Sequence, residues 1–64
     1  MYSKKIIAIP LRKIPDGGVF VKIRMGLPQL EPFTKIDNCE GSVHAETYDG
    51  RIRVFNENQL CYEL

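Results

Sequence analysis

Hydrophobic and polar residues alternate on both sides of Asp49-Gly50. Val43 and Ala45 alternate with Ser42, His44 and Glu46 before it; Ile52 and Val54 alternate with Arg51, Arg53 and Phe55 after it. A period of two predicts two strands, each with one buried face. Asp-Gly between them predicts a two-residue hairpin turn, because glycine meets no steric penalty at φ > 0. The longest clean alternation is Val19 to Arg24. It predicts a central strand with Val19, Val21 and Ile23 inward and Phe20, Lys22 and Arg24 outward.

The other segments are shorter. Ile6 to Ile9 is β-branched and predicts a strand, which Pro10 ends or confines to a sheet edge. Met1 to Lys5 is polar and predicts a loose end. Pro15-Asp16-Gly17-Gly18 predicts a turn with proline at its first central position. Met25 to Pro32 holds Gly26, Pro28 and Pro32, and predicts a loop longer than hairpins normally use. Phe33 to Ile36 predicts a short strand, Asp37 to Gly41 a turn, Asn56 to Gln59 one turn of 3₁₀ helix, and Leu60 to Leu64 a closing strand. No stretch carries the 3.6-residue period of a long amphipathic helix.

Five or six short strands with tight turns predict an all-β domain, a small barrel or sandwich. The 64 residues allow one domain, 1–64, with a small core. The layout of a long strand, a loop, a meander with a tight distal hairpin, a 3₁₀ turn and a last strand resembles the Src-homology-3-like barrel. At 44% hydrophobic and 27% charged residues the composition is globular, and a net charge of +1 gives no overall pull toward nucleic acid or acidic lipid. No apolar run reaches the roughly 20 residues of a membrane span. Two cysteines, Cys39 and Cys61, are fewer than small secreted domains carry, so the expectation is a cytoplasmic protein with free thiols; a single disulfide is the alternative.

The run Leu11-Arg12-Lys13-Ile14-Pro15-Asp16-Gly17-Gly18-Val19-Phe20 resembles the opening of small phage and prophage β-barrel proteins. The later Phe33-Thr34-Lys35-Ile36 strand and the Tyr48 to Phe55 hairpin continue the resemblance to Leu64. It implies a small barrel with no assigned chemistry, acting in the host cytoplasm. The 25–32 loop is longer than that pattern.

No catalytic set emerges. Cys39 and His44 could form a nucleophile and base, but Asp37 and Glu40 nearby would raise the thiol pKa, and no oxyanion donor can be named. Asp37, Glu40 and Glu46 offer carboxylates without a cleft large enough to use them. Cys39, His44 and Cys61 lack the spacing and the fourth ligand of a structural zinc site. No cofactor is expected. Two binding readings remain. The first is a non-enzymatic module that docks another protein through Leu27, Leu30 and Glu31 of the 25–32 loop, with Phe20 and Phe55 as aromatic anchors; the two leucines could instead plug one end of the barrel. The second is nucleic-acid binding by a basic, aromatic strip of Lys22, Arg24, Arg51 and Arg53, which could equally be ordinary sheet decoration. The edge strand at Ile6 to Ile9 could also pair two copies into a homodimer.

Overall fold

A computed structural model describes residues 7–64. Strand β1 (Ile9–Pro10) runs into a 3₁₀ turn at Leu11–Lys13, followed by β2 (Val19–Arg24), β3 (Leu27–Cys39), β4 (Ser42–Thr47), β5 (Ile52–Asn56) and β6 (Leu60–Glu63). They form one antiparallel six-stranded sheet in the order β1-β6-β2-β3-β4-β5. The all-β expectation holds. Among the described residues the ladder does not close, and β1 and β5 are its two edges. The loose end expected at Met1 to Lys5, and Ile6 of the first expected strand, lie outside the described residues. Of Ile7 to Ile9, only Ile9 is in a strand, together with Pro10. Proline belongs at an edge, where its missing N–H breaks no ladder.

Aromatic rings decide which face is inside, against the expected parity. Phe20 is fully buried, and its ring stacks on Phe33 at 5.6 Å between centroids. Phe55 meets Phe33 edge-on at 5.0 Å and Phe20 at 6.1 Å. Leu11, Ile14, Val43, Ala45 and Cys61 complete the core around them. Val19 is exposed and Ile23 half-buried, while Val21 is buried opposite Pro32 and Tyr62. On β5, likewise, Ile52 and Val54 are exposed and Phe55 packs on the core. A phenyl ring removes more apolar area from water than a valine does. Where both faces of a strand carry apolar residues, the ring therefore goes in.

Length is redistributed between strands and turns. The expected 25–32 loop is strand: β2 and β3 meet through the two-residue turn Met25-Gly26, with φ of 54° and 78°. Glu40-Gly41 joins β3 to β4 in the same way, with φ of 50° and 86°, so β3 extends well beyond the short strand expected at 33–36. Asp49-Gly50 is not a two-residue turn. The Thr47 N–H donates to Arg51 O (2.7 Å) and the Gly50 N–H to Thr47 O (3.1 Å), so Tyr48, Asp49 and Gly50 form a three-residue loop. The Thr47 hydroxyl explains the extra residue, since it accepts the Arg51 N–H at 2.9 Å and donates to the Asp49 carboxylate. Only Gly50 of the three has positive φ (+88°). Gly50→Val should therefore lower stability by about 1 kcal/mol or more; an unchanged thermal midpoint would contradict this turn geometry. The 3₁₀ turn expected at 56–59 is a simple turn closed by the Gln59 N–H on Asn56 O (3.0 Å). The turn at 15–18 is shifted by one residue: the Gly18 N–H donates to Pro15 O (2.9 Å), which makes Asp16 and Gly17 central.

The 11–18 segment is held by Lys35. Its backbone accepts from the Gly17 N–H (2.7 Å) and donates to Gly18 O (2.9 Å). Its side chain, only 4% exposed, turns inward, and Nζ donates to Ile14 O (2.6 Å) and Leu11 O (3.4 Å). A buried ammonium needs such acceptors to offset its lost hydration. The 3₁₀ turn thereby lies over the core and buries Leu11 and Ile14.

Candidate functional site

The two prolines of the 25–32 stretch shape the site. Neither offers an N–H, so the β2–β3 ladder opens between them. Ile23 pairs with Pro28 and Val21 with Pro32, leaving Gln29, Leu30 and Glu31 opposite the single residue Lys22. The excess length expected of a loop is thus a bulge within a strand. Bulges re-aim side chains, and Leu30 is 99% exposed.

Register brings a second element to the bulge. Phe33 pairs with Thr47, so the residues before Phe33 run past the tip of the β4–β5 hairpin. Leu30, Glu31, Pro32 and Tyr48 line one shallow hollow of about 660 Å³. Tyr48 is 78% exposed. Leucine, proline and tyrosine supply apolar walls, and Glu31 supplies a charge at the rim. Leu27 is exposed beside the Met25-Gly26 turn and does not line the hollow. With Leu27 and Leu30 both exposed, neither plugs the interior.

Phe20 and Phe55 leave the docking set. The first is fully buried, and the second packs against the core. In the sheet order, β3 and β4 lie between β2, which carries Lys22 and Arg24, and β5, which carries Arg53. Lys22 faces inward, its Nζ 5.9 Å from the Phe33 centroid and 5.4 Å from that of Phe55. That places the ammonium against ring faces rather than toward a phosphate. Lys22 and Arg24 share a 270 Å³ hollow with Ile23 and Gln59. Arg51 pairs with Asp49 at 3.3 Å, and Arg53 is exposed on β5.

His44 Nδ1 lies 2.7 Å from Asp37 Oδ1, across the pair that follows the Ile36 bulge. The imidazole is thus engaged by a carboxylate rather than by Cys39, which sits opposite Ser42. Both cysteines are free: Cys39 is exposed, Cys61 buried. Burial pushes the Cys61 thiol up to about 11, the Glu63 charge adds to this, and Lys35 pulls the other way. The thiol is protonated at neutral pH and donates to Ile9 O at 3.3 Å. Among the described residues no group of three or more His, Cys, Asp and Glu is placed to hold a metal, and no helix is long and apolar enough to cross a membrane.

No protein-family model, curated protein or solved structure matches this chain. Tyr48 is the site residue that sequence reasoning did not tie to Leu30. The signal was the register of Phe33 against Thr47, which places the hairpin tip beside the residues preceding Phe33.

Proposed function

We propose that this protein is a small non-enzymatic binding module that docks another protein at the hollow of Leu30, Glu31, Pro32 and Tyr48. The observation that carries this reading is the exposure of Leu30 and Tyr48 side by side, although 17 positions separate them in sequence. Folding has left apolar groups in water at one place, and such patches on small soluble domains mark contact sites. An apolar side chain would fill the hollow, and a neighbouring cation would meet Glu31. Full desolvation of Leu30 would contribute roughly 1.5–3 kcal/mol. The resemblance to phage and prophage proteins makes the partner a phage or host protein of the cytoplasm. The finer architecture goes with this reading: the run β6-β2-β3-β4-β5, bent at the bulges of β3, wraps as a small barrel of Src-homology-3-like layout. Its support is Lys22 of β2 reaching the Phe55 ring of β5, which brings separated strands together through side chains.

The immobilised protein should capture its partner from nuclease-treated host lysate. The double variant Leu30→Ser, Tyr48→Ser should lose that capture while keeping its thermal midpoint, because both side chains are exposed. Undiminished capture by the double variant would overturn the proposal. Capture abolished by nuclease and steeply salt-dependent would favour the nucleic-acid reading instead.

A further inference from the structure

Strand β5 is an edge, and among the described residues no strand pairs with its outer side. The Thr47 N–H bond to Arg51 O and the Glu57 N–H bond to Gly41 O show that odd-numbered residues turn their backbone toward β4. Ile52, Val54 and Asn56 therefore point N–H and C=O outward. The same strand exposes the side chains of Ile52 (54%) and Val54 (61%) on one face. An open backbone edge with β-branched side chains is a template for another strand, and natural edges are commonly blunted by charge, proline or a bulge within the strand. Here the only charge within β5 is Arg53, flanked by Arg51 before the strand and Glu57 after it, all at positions of opposite parity to Ile52 and Val54.

We propose that β5 pairs antiparallel with β5 of a second copy, centred on Val54, to form a twofold dimer with one continuous sheet. The sequence of the strand selects both the occupant and the register. Centring on Val54 pairs all five residues of Ile52–Asn56: Val54 with Val54, Arg53 with Phe55 and Ile52 with Asn56 of the second copy. One step further out, Arg51 meets Glu57 of the second copy, twice by symmetry. The neighbouring registers are worse. Centring on Arg53 sets two guanidiniums opposite each other, and centring on Ile52 sets Arg51 against Arg53; like charges directly opposite are destabilising. Centring on Phe55 places Ile52 against Asn58, whose N–H already donates to Asn56 Oδ1 at 2.8 Å. In the favoured register Val54 N–H donates to Val54 O of the second copy and Asn56 N–H to its Ile52 O. The twofold repeats both bonds. Asn56 O already accepts the Gln59 N–H and has one lone pair to share. The dimer proposed here uses β5 rather than the segment at Ile6 to Ile9, whose described part lies at the opposite edge beside β6.

Sedimentation equilibrium of the full chain tests this, with three variants. The wild type should show a monomer–dimer equilibrium. Val54→Lys keeps the backbone and the exposed position but sets two ammoniums opposite each other at the twofold, and should raise the dissociation constant at least tenfold. Arg51→Glu should also weaken the dimer, and adding Glu57→Arg should restore it, since the reversed pair re-forms only in this register. A monomer at all accessible concentrations would overturn the proposal. So would a dimer indifferent to Val54→Lys, or one not rescued by the double reversal.

Discussion

Phe20→Ala should abolish the cooperative thermal transition. The side chain is fully buried and touches both other phenylalanines, so truncation leaves a cavity at the centre of the core. Phe→Ala in such places costs about 3–5 kcal/mol. A domain of this size rarely has more than about 3–5 kcal/mol in total. Circular dichroism at room temperature should therefore show a largely unfolded chain. Val19→Ala, one residue away and 38% exposed, should shift the midpoint by only a few degrees. The contrast matters because alternation alone assigns these two residues the opposite roles. A cooperative Phe20→Ala melt close to wild type would overturn the orientation of β2.

Lys35→Met should cost about 2 kcal/mol and act locally. Hydrogen bonds from a charged donor contribute about 1.5–3 kcal/mol, and methionine of similar length removes the donor while keeping the buried stem. Part of that loss is offset, because the variant no longer buries a charge. What remains is the unsatisfied carbonyl of Ile14, whereas Leu11 O keeps its bond from the Ile14 N–H. The 3₁₀ turn should loosen first. Its Ile14 amide, which donates to Leu11 O at 3.0 Å, should exchange faster with solvent than the amides of β3 and β4. A variant as stable as wild type with unchanged Ile14 exchange would show that packing alone holds the segment.

Strand existence was legible; the inward face was legible on β4, where Val43 and Ala45 are buried as expected, but not on β2 and β5. Period-two alternation located β2, β4, β5 and β6, because a pleated strand turns successive side chains to opposite faces. On β2 and β5 the more apolar alternating set reads as inward, but the opposite set of each strand carries a phenylalanine, and those two rings meet Phe33 in the core. Turn chemistry was half legible. Gly26, Gly41 and Gly50 all mark turns, but Met25 and Glu40 take positive φ without being Asn, Asp or Gly, so Met25-Gly26 resembled the start of a loop. Leu30 and Glu31 were singled out from prolines and length, and the structure keeps them together in a bulge. Tyr48 joins them only through register, a long-range property. Lys35 looked like an ordinary strand lysine; its buried position follows from carbonyls that the 11–18 segment delivers from elsewhere in the chain.

The place of β6 sets a timetable. It lies between β1 and β2 and pairs with both, yet it is the last of the six strands in sequence. A ribosome therefore delivers β1 and β2 long before the strand that joins them. The β2-β3-β4-β5 meander needs only neighbours in sequence and can assemble as it emerges, whereas pairing across some forty residues is slow to close. Until Leu60–Glu63 is free of the exit tunnel, one side of β2 stays unpaired and Cys61 is missing from the core. Nascent chains are thus most exposed to chaperones and to misassembly in that interval.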